Sequence, residues 1–211
     1  MDRLARGDRI IGTDTALQTL QHEMAACRLC AQRFAATATA HQPRPLVWFQ
    51  PEARVLIASQ APGARAHSSG RPFEDASGQR LRDWMGIGRE AFYDRTQVAI
   101  VPMAFCFPGY DGKGADLPPP PMCAATWRAR VLASLPAVRL TLLVGGAAMG
   151  WHLGRGPVSA RVAAWRQSAA TGVFPLPHPS WRNTGWLQRN PWFEAELVPG
   201  LRAAVAGVLV T

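Results

Sequence analysis

No run in the 211 residues approaches the roughly 20 uninterrupted apolar positions of a helical membrane span, and the opening MDRLARGDRIIG lacks the apolar stretch of a secretory signal. The expectation is a cytoplasmic protein with no membrane partner. Lysine is nearly missing, with Lys113 the single example, and acids are scarce: 14 against 23 basic residues, a formal net charge of +9. Such a balance suits a polyanionic partner such as nucleic acid, although an arginine-rich composition alone produces the same number. Internal repeats and low-complexity tails are also absent. A hydrophobic content of 48% supports a substantial buried core of single-domain size.

Short apolar runs stand at 54–59, 97–101, 139–145 and 172–176, each of buried-strand type. Helical patterns occupy 14–25, with Asp14 at the N-cap position, 77–84 ended by Gly86, 147–153, 158–167 and 191–206. Strands alternating with helices imply parallel pairing with both faces covered. The expected fold is therefore a three-layer α/β/α sandwich around a mostly parallel four-stranded sheet. Sites in such sheets form at the carboxyl ends of the strands, which directs attention to the loops beginning at Gln60, Pro102, Gly145 and Pro177. The long Pro/Gly-rich stretch from Cys106 to Met122 reads as one loop, and a loop of that length carries function or is tied down.

Cysteine is confined to four positions: a C-x2-C pair, Cys27 and Cys30, and then Cys106 and Cys123, separated by sixteen residues. Disulfides are disfavoured in a reducing compartment, so a close pair plus two more argues for metal, either zinc or an iron-sulfur cluster. Both accept four thiolates, and spacing alone does not choose between them. The plain alternative is four incidental buried cysteines.

Two loops carry most of the remaining chemistry. The first, Ser59 to Gly78, packs Gln60, Ala61, Pro62, Gly63, Arg71, Phe73 and Asp75 into one turn-rich segment. It offers close backbone approach, a stacking ring and an acid, the needs of a pocket rim. Asp75 is equally placed to cap the helix that follows. The second loop sets His178 between Pro177 and Pro179, just past a strand end, followed by Ser180, Trp181 and Arg182. Taken alone, a solitary histidine is more often structural than catalytic. The tryptophan and arginine can meet a nucleic acid by stacking and by phosphate contact.

In this order, QAPG after an apolar strand, GRPFxDxSG, a cysteine-bearing strand end, LLVGG and HPS, the chain resembles the uracil-DNA glycosylase superfamily, from Cys27 to about Phe193. Its four cysteines are similar in spacing to those of the branches called families 4 and 5, which bind a 4Fe-4S cluster. The resemblance implies a DNA-repair glycosylase that extrudes uracil or another deaminated base from DNA and hydrolyses its N-glycosidic bond. It implies one domain over 1–211, with a helix and the first cysteine pair in 1–45 and the catalytic core in 46–211, acting as a monomer. Site roles follow residue by residue. Gln60, Ala61, Pro62 and Gly63 fall on the water-orienting and backbone-bonding motif, and Phe73 on the ring that stacks on the extruded base. His178 falls on the final-motif histidine, and Asp75 on the acid that family 5 uses on the water side. Pro102 and Met103 fall on the base-contacting segment, with Ser180, Trp181, Arg182 and Arg71 toward the DNA.

The chain also departs from the pattern. Family 4 members usually carry Glu where Gln60 stands, and uracil-specific families carry Asn where Pro102 stands. In both respects it leans toward family 5, which accepts a wider set of damaged bases. Two other readings of the residues remain. One is a non-catalytic nucleic-acid-binding module on the same frame, and the other is a zinc-stabilised α/β enzyme of unrelated chemistry.

Overall fold

The structure is a computed structural model describing residues 4–209, with side chains from Thr15 onward. Its sheet has β1 (Val55–Ala58), β2 (Val98–Ile100), β3 (Leu140–Val144) and β4 (Val173–Leu176), in the order β2-β1-β3-β4. Every pairing is parallel, so the sheet is wholly rather than mostly so. Val55 stands opposite Val98 on one side and Leu140 on the other, and Leu142 stands opposite Phe174. All residues of β1 and β2 are buried, which is why these strands read as continuous apolar runs instead of alternating ones.

Proline enters the sheet at Pro175, in the edge strand β4, where a missing N–H is tolerated. At the opposite edge the Ile100 N–H donates to the Trp48 carbonyl (2.7 Å), so the segment leading to β1 covers the flank of β2.

One layer holds α1 (Leu4–Ala25) and α6 (Pro121–Ala133). From it Leu17, Leu20, Met24, Trp127 and Val131 pack with Leu56, Ala99 and Val101. The other layer includes α4 (Ala76–Met85) and α11 (Val198–Leu209), whose Leu81, Trp84, Met85, Leu201 and Val205 pack with Val55, Ile57, Val98 and Ile100. Between them in sequence lie α2 (Ala31–Ala35), α3 (Ala64–Ser69), α5 (Arg89–Tyr93), α7 (Gly146–Leu153), α8 (Val158–Ala163), α9 (Trp165–Ala169) and α10 (Thr184–Arg189). The three-layer α/β/α architecture is the expected one. Among the described residues, no helix is long and apolar enough to cross a membrane.

Several boundaries differ from expectation for identifiable reasons. Helix α1 begins at Leu4, so Asp14 lies inside it and is no cap, and the Asp14 side chain falls outside the described ones. The expected helix 158–167 is two helices broken at Ala164 (φ −84°, ψ 15°), a break that turns the Trp165 ring into the core. The C-terminal helix opens with a π-helical turn, Phe193–Leu197, before α11. Pro199 cannot donate to the carbonyl four residues back and crowds it, and the wider turn relieves both problems. The long loop is two residues shorter than its prolines suggest, because Pro121 begins α6 at the helix position where proline is at home.

Helix α6 also carries a buried cation. Arg128 has no exposed surface and, among the described residues, no carboxylate partner. Its Nη1 donates to the carbonyls of Val101 (3.0 Å) and Pro102 (3.4 Å), its Nη2 donates to Nε2 of His152 (2.5 Å), and its Cζ lies 4.7 Å from the centre of the Trp151 ring. Only a neutral imidazole can accept at Nε2. Burial first, and then the Arg128 charge, accordingly push the His152 pKa down to about 4.

Arg128→Met is expected to lower stability in urea unfolding by about 1–3 kcal/mol, the cost of leaving buried carbonyls unpaired. Because His152 titrates lower in the folded than in the unfolded chain, the unfolded state binds the extra proton between about pH 6.5 and 4. Stability should therefore fall as pH drops through that window, and less steeply in His152→Asn. An identical pH slope in the variant would contradict this.

Candidate functional site

Loops from the carboxyl ends of β1, β2 and β4 enclose a cleft of about 560 Å³, within the usual range for small-molecule and base pockets. Of the residues singled out in the sequence, Gln60, Ala61, Pro62, Gly63, Phe73, Asp75, Pro102, His178, Ser180, Trp181 and Arg182 all line it. Two do not. Met103 is buried among core side chains, and Arg71 lies outside the cleft lining, paired with Glu74 at 3.5 Å.

The β1 and β2 exits are locked to each other. The Met103 N–H donates to the Ser59 carbonyl (2.8 Å) and the Ala104 N–H to the Gln60 carbonyl (3.1 Å), so sheet-like pairing runs on past the strand ends. Gln60 and Pro102 are thereby set side by side in the cleft. The Pro102 carbonyl is taken up by Arg128, and a proline has no N–H, so this position has neither side-chain nor amide donor to offer.

Asp75 caps α4, accepting from the Gly78 N–H at 2.9 Å through Oδ1. Its other oxygen makes no hydrogen bond among the described residues and the side chain is exposed. The capping reading and the cleft reading thus hold together. Two residues earlier, Phe73 adopts φ 55°, a left-handed conformation that costs a bulky residue about 1–2 kcal/mol. Gly78 is what allows the turn to close: a Cβ there would lie 1.8 Å from the Phe73 carbonyl oxygen.

His178 follows β4 and is half-buried. Its carbonyl accepts from Asn183 Nδ2 (2.7 Å), and Gly145, at φ 84°, passes beneath it. Burial lowers its pKa. Asp75 and Asp116 partly oppose that effect and Arg182 adds to it, so the imidazole is neutral at neutral pH. The His178 loop is fastened to α4 by Arg80, whose Nη1 donates to the Ser180 carbonyl at 3.2 Å. At the rim, Trp181 is 77% exposed, with the Arg182 guanidinium 5.9 Å from its ring centre.

One wall was not foreseen. Tyr110, Asp116 and Leu117 line the cleft from the loop that follows Cys106. Tyr110 and Asp116 form an antiparallel bridge, closed by an Asp111 carboxylate that accepts from the N–H groups of Lys113 (2.8 Å) and Ala115 (2.9 Å). The Asp-Gly-Lys-Gly run is a turn signature, and it could have announced this hairpin.

The four cysteines line a second, apolar cavity together with Met24, Phe34 and Trp127. They come from four places: the end of α1, the start of α2, the β2 exit loop and α6. All are unbridged; the Phe105 N–H lies 3.4 Å from the Cys123 sulfur, and the Arg44 backbone N–H hydrogen-bonds to the Cys106 sulfur. Burial, reinforced by the neighbouring thiols, pushes Cys106 up to about 12 and Cys123 to about 11. Among the described residues, no three His, Cys, Asp or Glu side chains close on one point as a single metal ion requires. The thiols surround a space instead.

A family model described as the Uracil DNA glycosylase superfamily matches residues 46–202. That span holds all four strands and every residue lining the cleft, and it includes Cys106 and Cys123 but not Cys27 and Cys30. The match covers well over half of the chain, so the protein belongs to the uracil-DNA glycosylase superfamily.

Proposed function

We propose that the protein is a DNA-repair glycosylase that hydrolyses the N-glycosidic bond of uracil, or of another deaminated base, extruded from DNA, leaving an abasic site. Membership of the superfamily supports a glycosylase-type hydrolase acting on DNA. The observation that carries the finer reading is the meeting of Phe73 and Asp75 with His178, distant from both in sequence, in one cleft.

A base stacked in a duplex is out of reach, and extruding it costs roughly a few kcal/mol, least for mispaired bases. Trp181 and Arg182 at the rim are placed to fill or brace the vacated stack. Phe73 then holds the ring. As the C1′–N bond breaks, its electron pair moves into the base and, in uracil, charge gathers on O2, while the sugar gains oxocarbenium character. His178, neutral and desolvated, donates an N–H to that oxygen. Asp75 keeps one oxygen on the α4 cap and has the other free to take a proton from water and to face the sugar cation. Gln60 can orient the water but cannot accept its proton. With Pro102 in place of a base-reading amide, substrate choice is broad and extends to hypoxanthine and xanthine.

We also assign Cys27, Cys30, Cys106 and Cys123 to a 4Fe-4S cluster. Four reduced thiols lining one apolar cavity are the right donors, and the C-x2-C and C-x16-C spacing that resembles families 4 and 5 favours a cluster over zinc. Held by these four cysteines, such a cluster would staple the end of α1 to α6 and to the loop that carries Tyr110 and Asp116.

Oligonucleotides carrying uracil, hypoxanthine or xanthine, treated with alkali after incubation, should be cut at the modified position. His178→Ala is expected to slow cleavage by about 10²–10³-fold and Asp75→Asn by about 10²–10⁴-fold, each with DNA binding kept. Full activity in Asp75→Asn would reject its assignment, and binding without cleavage of any substrate would leave a non-catalytic module. The purified protein should be brown with broad visible absorbance that disappears in Cys106→Ser. A colourless protein containing zinc would contradict the cluster.

A further inference from the structure

Phe73 occupies a conformation that its own side chain disfavours, and the neighbouring residues show what keeps it there. Its carbonyl accepts two side-chain hydrogen bonds, from the Tyr93 hydroxyl at 3.0 Å and from Arg82 Nη1 at 3.4 Å. Its ring meets Phe92 edge-on at 6.1 Å.

Tyr93 is itself held on every side. It packs edge-to-face on Phe92 at 5.1 Å and on Trp48 at 5.6 Å. Guanidinium groups of Arg71, Arg89 and Arg82 lie 5.1, 5.2 and 5.8 Å from its ring centre. Glu74, the residue after Phe73, pairs with both Arg71 and Arg89 and so ties this cage to the strained turn. Tyr93 does not line the cleft, and its hydroxyl bonds to the Phe73 carbonyl. Burial raises its pKa, which keeps that hydroxyl a donor across the physiological range.

We propose that Tyr93, seconded by Arg82, is a positioning residue that holds Phe73 in its left-handed conformation and thereby presents the Phe73 ring to an extruded base. This rests on the reading of Phe73 as the stacking ring. It also gives Arg71 a place in the cage behind Phe73.

Tyr93→Phe removes only the hydroxyl and keeps every ring contact. It is expected to lower the single-turnover rate on a uracil oligonucleotide by about 3–10-fold, the equivalent of one hydrogen bond. In a Phe73→Ala background the same change should have no further effect, because its only route to catalysis runs through the ring. Equal losses in both backgrounds would mean ordinary packing and would overturn the proposal, as would no loss at all. A second arm needs no activity: NMR couplings and chemical shifts of Phe73 should show it leaving the left-handed region in Tyr93→Phe, and an unchanged Phe73 backbone would overturn the proposal too. A wild-type protein that excises nothing would defeat the glycosylase reading, while the NMR arm would still decide the role of Tyr93.

Discussion

Pairing between β1 and β2 does not stop where the strands stop. The hydrogen bonds from Val101 to Ile57 (2.9 Å), from Met103 to Ser59 (2.8 Å) and from Ala104 to Gln60 (3.1 Å) carry it to Gln60 on one side and Ala104 on the other, into what would otherwise be free loops. The floor of the cleft between the β1 and β2 exits is placed by that extension. It fixes Gln60 beside Pro102, and it delivers Cys106 to the cysteine cavity and Pro108 and Tyr110 to the cleft wall. Arg128 secures the same segment from behind through the Val101 and Pro102 carbonyls. A cation buried with no carboxylate among the described residues is an expensive way to hold two carbonyls, one of them belonging to the cleft-lining Pro102.

The electrostatics divide by depth. At the surface, arginines are abundant and several are spent on local ion pairs, such as Arg71 and Arg89 with Glu74 and Arg130 with Glu23. Inside, both imidazoles that face the key segments, His152 and His178, are held neutral by burial. For His178 this matters to the proposed mechanism. A neutral donor stabilises charge that develops on a leaving base without first attracting an anion to the empty site, and the carboxylates of Asp75 and Asp116 limit how far burial depresses it.

How much of this could be read in the sequence depended on the kind of signal. The strands were plain because strands buried on both faces must be continuously apolar, and the cap at Asp75 and stop at Gly86 were plain because each has a local stereochemical reason. Helix α6 was hidden behind the prolines at 118–121, which signal a loop although the last of them begins the helix. Tyr110 and Asp116 belong to the cleft only because the extended β1–β2 pairing turns their hairpin inward, a tertiary fact with no local trace. The left-handed Phe73 was hidden for a further reason. Propensity argues against it, and the interactions that override propensity come from Gly78, Arg82 and Tyr93, the last of them twenty residues along the chain. Met103, one residue past a cleft-lining proline, points to the core because alternate residues of an extended segment face opposite ways.

The central claim is that Phe73, His178 and Asp75 surround one base and its sugar. A crystal structure with an oligonucleotide carrying 2′-fluorinated deoxyuridine, whose glycosidic bond resists cleavage because fluorine disfavours an oxocarbenium ion, tests it most directly. The account predicts the uracil stacked on Phe73, its O2 within hydrogen-bond reach of His178, and a water between C1′ and the free oxygen of Asp75. A base bound elsewhere, or a histidine and carboxylate on the same face of the sugar, would contradict it.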